Sequence, residues 1–78
     1  MSVTAYVLIQ TEVGRAEKVA SAARAISGVI ASDNVAGPYD VIVKAESGSL
    51  DDLGKLVVSE IQKVDGITRT FTCPVVNL

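Results

Sequence analysis

The feature of this sequence that most limits its fold is a repeated order of strand-like and helix-like segments. Runs rich in β-branched and apolar residues, which are typical of strands, occupy 3–12, 29–37, 39–47 and 67–78. Apolar residues at helical spacing occupy 13–27 and 50–64. The order β-α-β-β-α-β duplicates one βαβ unit. With right-handed crossovers it predicts an α+β, ferredoxin-like fold, in which a four-stranded antiparallel sheet of order 4-1-3-2 carries two helices on one face.

The strand segments carry signs of their positions in the sheet. The first has apolar residues on both faces, which indicates a strand covered on two sides: Val3, Ala5, Val7 and Ile9 on one face, Tyr6 and Leu8 on the other. The second is interrupted by Ser-Asp-Asn at 32–34, as in an edge strand or a bulged strand. Pro74 has no N–H to donate, so the last strand should lie at an edge or end there.

The two helical segments differ in how firmly their sequences specify a helix. The first has a mostly alanine face that can lie close to a sheet, with Gly28 as its stop: Ala16, Val19, Ala20, Ala23 and Ile26. The second has Ser49 as a favourable N-cap and a longer apolar set: Leu50, Leu53, Val57, Ile61 and Val64. Gly54 and the pair Val57-Val58 lower its intrinsic propensity, so tertiary packing must stabilise it.

The aliphatic content of the chain predicts self-association. Its 78 residues allow one domain, 1–78, and 49% of them are hydrophobic although only three are aromatic. That is more aliphatic surface than one small core can bury. The open face of the sheet is expected to carry few charges: Tyr6 and Leu8 with the row Thr68, Thr70 and Thr72. Two such sheets should meet face to face as a dimeric α+β barrel.

Several classes of chemistry lack the residues they need. The chain has no histidine and a single cysteine, Cys73, so neither a zinc site, a thiolate pair nor a Ser-His arrangement can be assembled. No separated pair of carboxylates suggests an acid and a base, and no glycine-rich loop suggests a phosphate site. We therefore expect no catalysis and no cofactor.

Charge and hydropathy restrict the partners. The net charge is −2 and no cluster of Lys or Arg occurs, whereas phosphate binding needs several basic residues together. We therefore expect no direct nucleic-acid binding. The longest apolar runs are far shorter than a membrane span, no secretory leader opens the chain, and no cysteine pair exists. Together these observations favour a cytoplasmic protein that does not bind membranes.

The stretch Gly-Pro-Tyr-Asp at 37–40 has two interpretations. It can be an ordinary turn, in which Gly37 permits positive φ, Pro38 fixes φ and Asp40 accepts from a nearby backbone N–H. It can also be a site for a ligand with a positive amine. Nearby, the alternating threonines of 67–73 suit a strand, Arg69 is expected in a surface ion pair, and Cys73 is expected as a small buried apolar residue.

Two motifs taken together point to a family. Ala-Gly-Pro-Tyr-Asp-Val-Ile-Val-Lys-Ala-Glu opens the third strand and Val-Asp-Gly-Ile-Thr-Arg-Thr-Phe-Thr opens the fourth. With the element order, they resemble the effector-sensing domain of the Lrp/AsnC family of transcriptional regulators along essentially the whole chain. Members of that family join a helix-turn-helix domain to this domain, form dimers and larger rings, and bind amino acids at subunit interfaces.

The resemblance implies a ligand site at the matching positions: Gly37, Pro38, Tyr39, Asp40, Thr70, Phe71 and Thr72. Asp40 would accept from the ligand's ammonium group, and N–H groups around Gly37 would meet its carboxylate. Asp40→Ala is then expected to abolish amino-acid binding and leave the unliganded fold intact. Because the sequence begins at the first strand, it resembles a sensor without a DNA-binding domain, acting through full-length family members.

Two other functions compete with this one. Dimeric ferredoxin-like domains include monooxygenases and isomerases of small hydrophobic compounds, although the missing histidine disfavours an enzyme. A purely structural assembly domain would keep the interface between sheets and lack the ligand.

Overall fold

The strands and helices follow one another in the predicted order in the computed structural model, which describes residues 2–77. The strands are β1 (Val3–Thr11), β2 (Val29–Asn34), β3 (Val41–Ser47) and β4 (Ile67–Pro74), and the helices are α1 (Ala16–Arg24) and α2 (Leu50–Leu56). The sheet order is β2-β3-β1-β4 with every neighbouring pair antiparallel. Both the fold class and the strand order are therefore confirmed. Met1 and Leu78, which end the predicted domain 1–78, lie outside the described residues.

The core lies between one face of the sheet and the two helices. Alternate residues of the central strands point toward the helices and are fully buried: Ala5, Val7 and Ile9 of β1, and Val41, Val43 and Ala45 of β3. The helical side of the core is supplied by Val19, Ala20, Ala23, Leu53, Val57 and Ile61. Each fully buried Val, Leu or Ile stabilises the fold by about 1.5–3 kcal/mol relative to exposure. The small residues of α1 let it lie close to the sheet, as predicted.

Polar contacts attach α1 to the edge strand β2. The buried Ser32 donates its hydroxyl to the carbonyl oxygen of Ala20 at 2.9 Å. In the other direction, Arg24 Nη2 donates to the carbonyl oxygen of Ser32 at 2.6 Å. The pairing of β2 with β3 also shifts between Val29 and Ala31. The sequence predicts either an edge strand or a bulged strand, and β2 is an edge strand that also contains an irregularity.

The second helix begins as predicted and changes type in its middle. The N–H of Asp52 donates to Ser49 Oγ at 3.1 Å, which is the expected cap. After Leu56 the chain continues as a π-helical turn, Val57–Ile61, in which the N–H of Gln62 donates to the carbonyl of Val57 at 2.9 Å. The change occurs at the Val57-Val58 pair, where the intrinsic helix propensity is weak. A π-helical turn is uncommon and adds a residue to the turn.

One residue assigned to the core of the second helix was predicted wrongly. Leu50 is 60% exposed, whereas Leu53, Val57 and Ile61 are buried. Leu50 lies three residues before Leu53, and that offset rotates it by about 60° from the buried line at 3.6 residues per turn. Val64 is partly buried against the core, as expected.

The face of the sheet on which the threonines lie was also predicted wrongly. Thr70 lies opposite Ile9 and Thr72 opposite Val7, and antiparallel partners project to the same face. The two threonines are therefore on the helix side. The pairing of β1 with β4 shifts between Gln10 and Thr11, which lie opposite Arg69 and Ile67. Between Gln10 and Thr11 the chain of β1 advances by one residue while that of β4 advances by two. The alternation of side chains between the two faces, predicted from 67–73, therefore changes face at this shift.

The open face consequently differs from the predicted one. Partnered positions place the following residues on it: Tyr6 and Leu8 of β1, Ile42 and Lys44 of β3, and Arg69, Phe71 and Cys73 of β4. Its centre is apolar, and Tyr6 and Phe71 are 42% and 43% exposed.

The close approach of Gly28 to α2 provides a test of the fold. A Cβ atom at Gly28 would lie 2.9 Å from Leu56 Cδ2 and 3.3 Å from the carbonyl oxygen of Glu46, whereas one at Gly14 would meet nothing within 4 Å. Both glycines have positive φ, +98° and +80°. Alanine at either position should cost about 1–2 kcal/mol for left-handed backbone, and Gly28→Ala should cost more than Gly14→Ala because its Cβ would also crowd Leu56 and the Glu46 carbonyl.

Urea unfolding at one fixed protein concentration measures the difference. Gly28→Ala should unfold at a lower urea concentration than Gly14→Ala. Equal midpoints would contradict the close packing of α2 on the start of β2.

Candidate functional site

The corner at 37–40 is held against β1 by its main chain. Gly37 has φ of +137°, so the predicted positive φ is confirmed. The N–H of Val35 donates to the carbonyl of Asp40 at 3.0 Å, and the N–H of Asp40 donates to the carbonyl of Ile9 at 2.9 Å. The corner therefore has a defined position relative to the central strand.

The carboxylate of Asp40 accepts a hydrogen bond from the end of β1. The N–H of Thr11 donates to Asp40 Oδ2 at 2.8 Å. Because the pairing of β1 with β4 shifts between Gln10 and Thr11, the carboxylate satisfies an N–H beside the irregularity. Asp40 thus accepts a backbone N–H, as the turn interpretation predicts, although the donor lies 29 residues away in the sequence. The other oxygen, Oδ1, accepts no hydrogen bond from residues 2–77.

Gln10 forms part of the site, and the sequence did not predict it. Its side-chain Nε2 donates to the carbonyl oxygen of Pro38 at 3.0 Å, while its main-chain carbonyl oxygen accepts from Thr68 Oγ1 at 3.2 Å. The only local signal is a polar side chain near the end of an apolar strand. That signal identifies no partner, because the partner depends on how the corner folds over β1.

Tyr39 reaches across β1 to Phe71 on β4. The two ring centroids are 5.8 Å apart and the rings are inclined by 75°, an edge-to-face arrangement worth about 0.5–1.5 kcal/mol beyond the buried area. Two of the predicted site residues, from segments far apart in the chain, therefore lie in contact on the open-face side of the sheet.

Thr70 and Thr72 lie away from this contact. They project to the opposite face of β4, and Thr70 Oγ1 accepts from Gln62 Nε2 at 3.0 Å. A ligand beside Tyr39 and Phe71 of one subunit would not reach these hydroxyls in the same subunit. Their role as ligand-binding residues stays a prediction.

Two expectations for β4 need correction. Arg69 makes no ion pair within residues 2–77, where Arg15–Asp65 at 3.5 Å is the one pair present. Its Cζ atom instead lies 5.7 Å from the centroid of the Phe71 ring. Cys73 is exposed rather than buried, because it shares the open face with Phe71.

No group of three or more His, Cys, Asp or Glu side chains among residues 2–77 is arranged to hold a metal ion. The helices in this part of the chain are too short, or too polar, to cross a membrane. A hollow of about 340 Å³ lies beside β4, where Arg69 and Thr70 line it.

The sequence matches a family model over nearly its whole length. Residues 4–77 match the Lrp/AsnC ligand binding domain. The chain therefore belongs to the Lrp/AsnC ligand-binding domain family.

Individual relatives agree with the family match. An uncharacterized HTH-type transcriptional regulator of Pyrococcus furiosus is 31% identical over 75 residues, which cover 92% of this chain and 50% of that protein. The chain thus spans about half the length of this curated relative. A hypothetical protein of Pyrococcus horikoshii has a crystal structure with a TM-score of 0.88 and 33% identity, covering 97% of this chain and 92% of that one.

A more distant structure shares the fold. It is a transcriptional regulator of Neisseria meningitidis, solved as its complex with L-Met. Its TM-score is 0.83 at 14% identity, and the match covers 96% of this chain and 50% of that chain.

The hydrogen bond between Thr11 and Asp40 revises the expectation that Asp40→Ala leaves the unliganded fold intact. Alanine would leave the Thr11 N–H without its acceptor, at a cost of about 1–3 kcal/mol. Asp40→Asn keeps an oxygen at the same position and should cost less. Asp33→Ala, which removes an exposed carboxylate of β2, is the matched control and should be close to neutral.

The free energy of unfolding from urea titrations without ligand is the measurement. A loss for Asp40→Ala no larger than that for Asp33→Ala would show that the carboxylate does not hold the end of β1.

Proposed function

We propose that this domain binds a small molecule with an α-amino group, such as an amino acid, at the 37–40 corner. The observation that supports this proposal is the hydrogen bonding of the Asp40 carboxylate. One carboxylate oxygen is held by the Thr11 N–H at 2.8 Å, while the other accepts nothing from residues 2–77. A carboxylate fixed in this way can accept from an ammonium group with little reorganisation. Such a charged hydrogen bond is worth about 1.5–3 kcal/mol.

The surroundings of Asp40 suit the rest of such a ligand. Tyr39, the neighbour of Asp40 in the chain, forms an apolar contact with Phe71, and a few polar groups among apolar contacts are typical of small-molecule sites. The Neisseria regulator that shares this fold was solved with L-Met, so amino acids are the first class to test.

We also propose that the open face of the sheet forms the contact between two copies of the chain. Its centre consists of Leu8, Ile42 and Phe71 in one row, with Tyr6 in the next. Exposed apolar surface of this kind is typical of protein interfaces, and a two-fold axis would place the same patch on both sides. The corner lies at the rim of this face, so association would shield the bound ligand from water.

The family membership supports a proposal for the role in the cell. Lrp/AsnC ligand-binding domains belong to transcriptional regulators, which favours a regulatory function over an enzymatic one. We propose that this domain acts in the cytoplasm through full-length family members, and that it transmits effector binding without contacting DNA itself. The absence of any cluster of basic residues in the sequence supports the last point.

Thermal unfolding with the proteinogenic L-amino acids tests ligand binding. At least one amino acid should raise the melting temperature, because a ligand that binds only the folded state stabilises it by about 2.7 kcal/mol at a hundred times its Kd. The corresponding amine-free acid should raise it much less. If no amino acid raises the melting temperature at millimolar concentration, the amino-acid part of the proposal is wrong.

Light scattering tests the self-association. The wild-type protein should have at least twice the chain mass of 8.1 kDa. Tyr6→Glu places a carboxylate on the open face and should shift the protein toward the monomer. Val13→Glu, at a fully exposed position outside the sheet, should leave the mass unchanged. A wild-type monomer at micromolar concentration would contradict the proposed interface.

A further inference from the structure

Arg69 lies on the same side of the sheet as the corner and beside the residue that holds it. In the pairing of β1 with β4, Arg69 is opposite Gln10, and antiparallel partners project to the same face about 4.8 Å apart between strands. The Gln10 side chain in turn donates to the Pro38 carbonyl at 3.0 Å. The guanidinium group and the corner therefore flank one residue of β1.

The ring of Phe71 lies close to both Tyr39 of the corner and the guanidinium group of Arg69. The Tyr39 ring approaches it at 5.8 Å between centroids, and Arg69 Cζ lies 5.7 Å from its centroid. A guanidinium group at cation–π distance from an aromatic ring keeps its N–H donors, which form a planar fork that fits a carboxylate. Arg69 therefore lies beside the ring that also contacts Tyr39 of the corner.

The two charges at the site are opposite and do not neutralise each other. Asp40 and Arg69 form no ion pair, and the only ion pair within residues 2–77 is Arg15–Asp65. Asp40 has one oxygen without a donor from these residues, and Arg69 has no carboxylate partner among them. A molecule with an ammonium group at one end and a carboxylate at the other would satisfy both.

We propose that Arg69 binds the carboxylate of the ligand whose ammonium group Asp40 accepts, so that the site selects zwitterionic α-amino acids. This assignment rests on the function proposed above. It differs from the sequence-based expectation, in which backbone N–H groups near Gly37 meet the carboxylate. Pro38 has no N–H, and the guanidinium group carries a full positive charge.

Lys44 provides a matched control for Arg69. It is also a cation on the open face, with its Nζ atom 6.0 Å from the centroid of an aromatic ring, that of Tyr6. It lies opposite Tyr6, four residues along β1 from Gln10. A general attraction between positive charge and an acidic ligand would involve both cations, whereas a carboxylate site at the corner involves Arg69 alone.

Titration calorimetry with two series of ligands tests the assignment. The probes are the proteinogenic L-amino acids and their carboxamides, which keep the ammonium group and lack the negative charge. For the amino acid that binds most tightly, Arg69→Gln should weaken binding by about 10- to 100-fold, as expected for loss of a charged hydrogen bond. Its carboxamide should bind the variant and the wild type equally. Lys44→Gln should change neither affinity, and Arg69→Lys should recover only part of the loss.

The outcomes separate this assignment from the function on which it rests. If the wild type binds no amino acid, both are overturned. If the wild type binds one and Arg69→Gln binds it equally well, Arg69 is excluded and the proposed function stands. If Arg69→Gln weakens the amino acid and its carboxamide by the same factor, while far-UV circular dichroism shows an intact fold, Arg69 supports the site without binding the carboxylate, which also overturns the assignment.

Discussion

Strand β1 pairs with a neighbour on each side, and this double pairing decides where most other side chains of the sheet point. Ala5, Val7 and Ile9 must face the helices to be buried, and antiparallel partners share a face. The pairing with β1 therefore also determines which residues of β3 and β4 face the core and which face the open side. A slip of one residue would place the apolar set of β1 on the wrong face. The corner also depends on β1, since Ile9, Gln10 and Thr11 all bond to it.

The features predicted correctly from the sequence are those with local causes. The Ser49 cap, the positive φ at Gly37 and the irregular edge strand β2 each follow from a few neighbouring residues. The face to which each side chain of β4 points does not follow from neighbouring residues. Ile67 to Cys73 alternate regularly in the sequence, and nothing in Ile-Thr-Arg marks a register shift opposite Gln10 and Thr11. A shift belongs to a pair of strands, so one strand read alone cannot reveal it.

The same distinction applies to the site. The local chemistry of Gly-Pro-Tyr-Asp predicts that Asp40 accepts a backbone N–H, and it does. The donor is Thr11, however, so the carboxylate stabilises the sheet and not only its own turn. The contact of Tyr39 with Phe71 joined two stretches that only the family resemblance had linked. Gln10 and Arg69 have ordinary surface chemistry in the sequence, and they acquire a role only because the pairing of β1 with β4 places them together.

The contacts that build the corner also determine when it can form during folding. Its bonds join residues 28 and 29 positions apart, and its aromatic contact requires β4, which follows β3 and α2 in the sequence. Strand pairing over such separations must overcome the entropy of loop closure before its contacts stabilise it, so it is slow compared with the formation of local structure. A nascent chain that has completed β3 therefore has the Gly-Pro-Tyr-Asp sequence but not the Tyr39–Phe71 contact. The proposed site is therefore complete only after β4 has docked on β1, which makes it a late product of folding.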